Sequence, residues 1–410
     1  MISPDERKVL RDLAKQVADV AALPIMDERR REWRRHNRLQ PGRPMILIFP
    51  EGGWRELLPD AALVCRDKAA RAAEWQLRHR LYTHAHLAGD MVIEREWIVQ
   101  KSVHTSGWGL EPKWRPAPDP TGAGAFDPVI LEPADLRKLR FPVVTVDEKA
   151  TADDLELAWD LFGGILDVKL KGIAHMSFHL MSLYTHLRGL AEVMMDMYIQ
   201  PTMVHEAMAF LEEGHHRLVR QYVDLNLLSL NNDGTYHSSG GVGYTDELPA
   251  AGFDPDRVRP ADMWASAETQ EFAQVSPAMH AEFALQYEKR LLAPFGLNGY
   301  GCCEDLTLKL DDVLTIPRLR RVSISPFANV DRCAGKLGRR AIFSWKPHPA
   351  HLVGRFDPQA VRAYIRHTLQ AARGCVLEII LKDTHTCENR PERFWEWSDI
   401  ARQAVDDMCR

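Results

Sequence analysis

No apolar run in the chain reaches the roughly 18 residues that a membrane-spanning helix needs. The N-terminus, "MISPDERKVLRDLAKQ", is charged where a secretion signal would be apolar. A cytoplasmic protein is therefore expected. An excess of positive charge is also missing: the 410 residues carry a formal net charge of −5, which offers no field for nucleic acid. Cysteine is scarce, seven residues in all and mostly solitary, so free thiols or thiolates are expected in place of a disulfide framework. None of the cysteines has the spacing of a zinc ribbon or finger. The glycine-rich stretch "SSGGVGY" follows a loop and opens no helix, so it is no phosphate cradle and reads as a flexible lid or turn. Apolar residues at 45% and charged residues at 27% leave an ordinary globular chain, long enough for one large domain or two smaller ones.

The first forty residues read as charged helix, with the arginine-rich "DERRREWRRHNRLQPGRP" packing through Trp33. After the Pro-Gly-Arg-Pro break, "MILIFPEGGW" has the look of a buried strand, and "CRDKAARAAEWQLRHRLYTHAHLAGD" is again helical. From about Lys169 short apolar runs alternate with amphipathic segments. "LAEVMMDMYIQPTMVHEAMAFLEEGHHRLVRQYVDL" is helix, proline break and helix, leading into a strand at "NLLSLNND". "SPAMHAEFALQYEKRLLAPFG" is a helix leading to "LNGYGCCED", and "RRVSISPFA", "RRAIFSWKPHP" and "CVLEIILKDTHTC" follow as further strands. Strands separated by helices pair in parallel through crossovers, and their order predicts an α/β fold of the (β/α)8 TIM-barrel type.

In such a barrel the chemistry sits at the C-terminal strand ends. The polar residues fall there: Asn231, Asn232 and Asp233; Cys302, Cys303 and Glu304; Lys346 and His348; Asp383, His385 and Cys387. Barrel closure would bring Cys302 or Cys303 together with Cys387. Two thiolates with one of Glu304, His385, Cys302 or His348 make a zinc site with an open position. His385 and Cys387, two residues apart, leave an extended segment on the same face. Against this, adjacent cysteines often serve as small apolar fillers, and one of such a pair points away from the site. Glu304, His385 and Asp233 are the candidates for proton chemistry. Asn232, His237, Tyr300, Lys346 and His348 are the candidates for holding a substrate. His175, His179 and His186 read as satisfied interior or helix-surface histidines, and His215 and His216 as exposed ones.

The segments "QPTMVHEAMAFLEEG", "DLNLLSLNND", "SPAMHAEFALQYEKRLLAPFG", "YGCCEDL", "KLGRRAIFSWKPHPAHL" and "FWEWSDIARQAVDDM", in that order, resemble the uroporphyrinogen decarboxylase superfamily. The resemblance covers a little over half the chain. It implies one β/α barrel over residues 41–410 preceded by a helical extension over 1–40. The arginine-rich glycine motif and the aspartate of the true decarboxylases are not recognisable around "IFPEGGW". The corrinoid-dependent methyltransferases of the superfamily bind zinc through a His-x-Cys motif and a distant cysteine. "GYGCCEDL" falls where that motif would lie and Cys387 where the distant cysteine would, with Gly301 in the histidine's place. The third ligand is open between Glu304, Cys302 and His385.

What the resemblance implies is a zinc-dependent transfer of a methyl group between a small ether, amine, alcohol or thiol and a corrinoid. No corrinoid-binding segment is recognisable, so that cofactor would arrive on a partner protein, and an oligomer is open. Trp54, Trp108, Trp114 and Trp345 are available to line an apolar pocket. Two other readings compete: a metal-free lyase that grips a carboxylic acid with Arg188 or Lys346, and a non-catalytic ligand-binding barrel.

Overall fold

The computed structural model describes residues 2–118 and 124–409. Its centre is a seven-stranded parallel sheet. The strands that matter below are β1 (Met45–Ile48), β2 (Glu96–Gln100), β3 (Asp167–Lys171), β4 (Ser177–Phe178), β5 (Trp264–Ala267), β6 (Leu297–Tyr300), β7 (Leu319–Ile324), β8 (Ile342–Trp345) and β9 (Val376–Leu381). The sheet order is β1-β9-β8-β7-β6-β5-β4, while β2 and β3 form a separate parallel pair. Helices cover the connections, among them α5 (Val330–Leu337), α6 (Pro358–Ala371) and, after β9, α7 (Glu392–Cys409). The parallel α/β architecture is as expected. Among the described residues, however, β1 and β4 are the sheet edges and no ladder joins them, so an eight-stranded closed barrel is not seen.

At the N-terminus stand α1 (Pro4–Ala21) and α2 (Pro24–Asn37), followed later by α3 (Lys68–His86) and α4 (Glu148–Phe162). Ser3 caps α1 through a capping box with Glu6. The apolar face of α1 joins Trp33, Leu77, Trp97, Phe162 and Val168 in a second core, which also takes Met45 and Leu47 from β1.

The period of two along a strand sorts the sheet's faces. Val322, Ile324, Phe343, Trp345, Leu377 and Ile379 lie in the main core, with residues of α5, α6 and α7. The alternating positions carry polar groups. Arg321, Ser344 and Glu378 meet on the inner face, all fully buried. Arg321 donates to Glu378 from Nε at 2.8 Å and from Nη2 at 3.2 Å. His36 Nε2 lies 3.0 Å from the same carboxylate, and Ser344 donates to it as well. Burial holds His36 in its neutral form. Asn37 accepts from Arg321 at 2.8 Å and donates to the carbonyls of Val242 and Tyr244 at 2.9 and 2.7 Å. The last turn of α2 is thus fastened to the sheet interior.

One sequence expectation narrows here and one changes. Of lid or turn, "SSGGVGY" supplies the turn. Its residues belong to a tight hairpin, Tyr236–His237 paired with Gly241–Val242, that lies against the inner face. A Cβ at Gly241 would stand 2.3 Å from the Arg321 guanidinium, and one at Gly240 2.7 Å from Ile380. Glycine is used there because no side chain fits. "NLLSLNND" forms no strand beyond one bridge, Leu228 to Ile173. The Asn231 side chain does the pairing instead. It accepts from Trp264 N at 2.9 Å and donates to the carbonyls of Trp264 and Ala174 at 3.0 and 2.8 Å.

Breaking a buried ion pair from one side leaves a buried charge and costs about 3–5 kcal/mol. Arg321→Met is therefore expected to lose that much in urea unfolding, and Arg321→Met with Glu378→Met to regain much of it. Burial raises the Glu378 pKa, but Arg321 and the His36 hydrogen bond outweigh it and the net shift is far downward. Its contribution is full above the ordinary carboxylate value and is lost as pH falls below it, so an acid unfolding curve checks the sign.

Candidate functional site

The inner-facing residues converge past the C-terminal ends of β4, β5, β6 and β9 on a cavity of about 190 Å³. β4 delivers Ser177 and, one residue past its end, His179. β5 delivers Ser266 and Glu268, and β9 runs into Lys382. The hairpin supplies Tyr236 and Ser239 from below. Gly301 stands at φ 92°, a conformation that suits glycine, and turns the chain out of β6. Cys302 then faces the cavity while its N–H donates to Glu304 Oε2 at 2.8 Å.

The two cysteines differ sharply. Their sulfurs are 3.5 Å apart, and Ser239 Oγ donates to Cys302 at 3.4 Å. The hydrogen bond with Cys303, then the charge of Lys382, draws the Cys302 thiol below the ordinary thiol range against the effect of burial. It is a thiolate at neutral pH. Cys303 is pushed upward by its bond to Cys302, by burial and by the negative charges of Cys302 and Asp383. It keeps its proton, with Asp383 Oδ2 3.7 Å away. Lys382 Nζ lies 3.1 Å from Asp383 Oδ1 and 3.4 Å from Ser239 Oγ.

Across the cavity His179 Nδ1 is hydrogen-bonded to Glu268. Burial draws the imidazole down, but the Glu268 bond and the charges of Glu268 and Cys302 more than reverse it, so its pKa is raised. Glu304 is buried and its carboxyl is raised to about 8, by burial first and then by the nearby Glu268 charge. It is a neutral acid beneath Cys302 at pH 7. The site therefore offers a soft anionic nucleophile, an imidazole held by a carboxylate and an ammonium group, all within one small cavity.

The residues expected from the sequence are distributed differently. Cys302 and Glu304 are in or just under the cavity. Cys387 is fully buried and turned to Glu56, donating to Oε2 at 3.0 Å, and its thiol is pushed up to about 12 by burial and that contact. His385 is exposed. Asp233 pairs with Lys171, and Asn232 holds the Leu248 carbonyl at 2.8 Å. His237 is buried against Trp264, ring centroids 4.4 Å apart. Tyr300 points to the far side of β6, where it donates to Glu288 at 2.7 Å beside His280. Lys346 is buried and donates to Ser344 Oγ at 2.7 Å. His348 caps a short helix through Ala350 N at 3.2 Å. Of the four tryptophans named for a pocket, none lines this cavity.

A tetrahedral zinc with bonds of about 2.3 Å to sulfur would set two thiolates about 3.8 Å apart, near the spacing of Cys302 and Cys303. A third donor is missing. Among the described residues no group of three or more His, Cys, Asp and Glu side chains is placed to hold a metal. The carboxylate beside Cys303, Asp383, is already bound to Lys382. As arranged, these residues do not fit a zinc site built from Cys303, Cys387 and His385.

The sequence reading missed His179, Glu268 and Lys382. His179 and Glu268 are 89 residues apart, and no local spacing joins them. Lys382 did carry a signal, since it follows β9 directly.

No family model matches the chain, and no curated protein does. Twenty-two solved chains match in structure. One is a methyltransferase from Methanosarcina mazei, at TM-score 0.36 and 11% identity over 66% of this chain and 73% of its own. That likeness is too distant to carry fold or activity across. Among the described residues no helix is long and apolar enough to cross a membrane.

The thiolate is open to a direct check. Iodoacetamide is expected to alkylate Cys302 with a half-maximal rate at a pH below the ordinary thiol range, read by peptide mass spectrometry, while Cys387 stays unlabelled. Lys382→Met should move that midpoint upward. A midpoint above pH 8, the range of an ordinary thiol, would contradict the assignment.

Proposed function

We propose that the chain is an enzyme that moves a methyl group between a small polar substrate, held in the strand-end cavity, and the cobalt of a corrinoid carried by a partner protein. The observation that carries this reading is the shared cavity of a thiolate and a carboxylate-held imidazole at the strand ends. The sequence resemblance of "GYGCCEDL" and its flanking segments to the methyltransferase branch of the superfamily supports it. The corrinoid supplies the metal that gives or takes the methyl group.

This chain's residues handle the substrate and the proton. A heteroatom that loses its methyl group needs a proton, and a thiol that gains one must give a proton up. His179 Nε2 is the atom placed for either transfer, because Nδ1 is committed to Glu268. The Cys302 charge helps to keep the imidazole protonated. Lys382 attracts an anionic group on the substrate, with Ser239 beside it and Ser177 elsewhere in the lining.

Lys382 also favours a second reading, a lyase acting on a carboxylic acid. The two groups first considered for gripping such an acid are both occupied: Arg188 by Asp196 at 2.7 Å, and Lys346 inside the sheet. Burial lowers Lys346 to about 7, so it is a weak anion holder at neutral pH.

Reduced free cobalamin can stand in for the carrier protein. With a set of small methoxylated and N-methylated acids, the protein is expected to form methylcobalamin, followed by absorbance, and His179→Gln to slow this about 10²–10⁴-fold. Absence of methylcobalamin with every member, together with carbon dioxide release that His179→Gln abolishes, would replace this reading with the lyase.

A further inference from the structure

A second cavity, of about 280 Å³, opens between α3, the β2–β3 pair and the turn at Asp233–Thr235. It shares no lining residue with the strand-end cavity. Met91, Val92, Ile93 and Ile98 give it an apolar wall.

Five charged side chains also line it: Arg80, Glu94, Glu96, Lys171 and Asp233. Four of them have charged partners. Glu94 takes both arms of Arg30, at 3.0 and 2.6 Å, and the Tyr244 hydroxyl at 2.5 Å. Glu96 is paired with Lys169, and Asp233 with Lys171. Arg80 is different. Its Nη1 donates to the main-chain carbonyl of Glu96 at 2.7 Å, and its guanidinium lies 5.6 Å from the Trp97 ring centroid. Among the described residues no carboxylate forms an ion pair with it. Arg80 is half-buried, and the planar fork of a guanidinium that no carboxylate has engaged matches one. Burial lowers its pKa, and Glu96 and Glu94 compensate only from a distance.

We propose that this cavity binds a small aliphatic carboxylic acid, its carboxylate on Arg80 and its chain against Met91, Val92, Ile93 and Ile98. The apolar wall fits an alkyl chain. A phosphate dianion is disfavoured, because one arginine is available and three carboxylates stand nearby. The volume of about 280 Å³ admits a short-chain acid such as hexanoate. The inference is independent of methyl transfer, since it uses none of the strand-end residues.

Isothermal titration of the full chain with hexanoate tests it. One saturable site is expected, weakened at least tenfold by Arg80→Gln and unchanged by Lys382→Gln. Hexanol, which lacks the charge, should bind at least tenfold more weakly than hexanoate. Ile98→Trp, which fills the cavity from its apolar side, should abolish binding even if Arg80→Gln proves unstable. Absence of saturable binding, an affinity unchanged in Arg80→Gln or Ile98→Trp, or a loss confined to Lys382→Gln would overturn the proposal.

Discussion

The buried pair of Arg321 and Glu378 is the constraint around which the inner face is organised. A charge taken from water is costly unless it is paired and hydrogen-bonded, and here the partners, which leave only Arg321 Nη1 unmet among the pair's polar atoms, come from three separate parts of the chain. His36 and Asn37 arrive from the end of α2, Ser344 from β8, and the Val242 carbonyl from the hairpin, 3.4 Å from Arg321 Nη2. The pair therefore fixes where the N-terminal helices dock and how deep the hairpin sits. Once the hairpin is fixed, Ser239 and Tyr236 are fixed under the strand-end cavity.

Electrostatics at the cavity follow from that placement. Cys302 is charged because three groups meet at it: a neighbouring thiol, a serine hydroxyl and, close by, the Lys382 ammonium. The charge in turn acts on His179. At Glu304 burial prevails and the nearby Glu268 charge adds to it, so the carboxyl is raised. One acid and one thiol in the same region, Glu304 and Cys302, are thus shifted in opposite directions, which is what proton transfer at neutral pH requires. The same logic separates Cys302 from Cys387, expected from the sequence to share a metal with it, since Cys387 faces Glu56 and stays a thiol.

The order of strands and helices was largely legible in the sequence, because apolar runs such as "MILI" and "VLEIIL" become β1 and β9, and the proline before "TMVHEAM" opens the helix Pro201–Asp224. The failures have physical causes. Asn231 substitutes its side chain for a strand ladder, which no propensity reports. The glycines of "SSGGVGY", legible as a turn, also mark close contact with Arg321 and Ile380, which only the fold shows. At the site, residue type was readable and direction was not. Tyr300 and Cys302 are two positions apart, yet the turn at Gly301 sends one behind the sheet and the other into the cavity. His179 and Glu268 meet only through the pairing of β4 with β5, so their partnership is a property of the fold.

The central claim is that Cys302 and His179 face one another electrostatically across a single cavity, and NMR titration of the His179 imidazole tests it without any substrate. The account predicts a midpoint above the ordinary histidine value in the native protein, and a lower one in Cys302→Ser, where the negative charge is gone. An ordinary midpoint that Cys302→Ser leaves unmoved would contradict it.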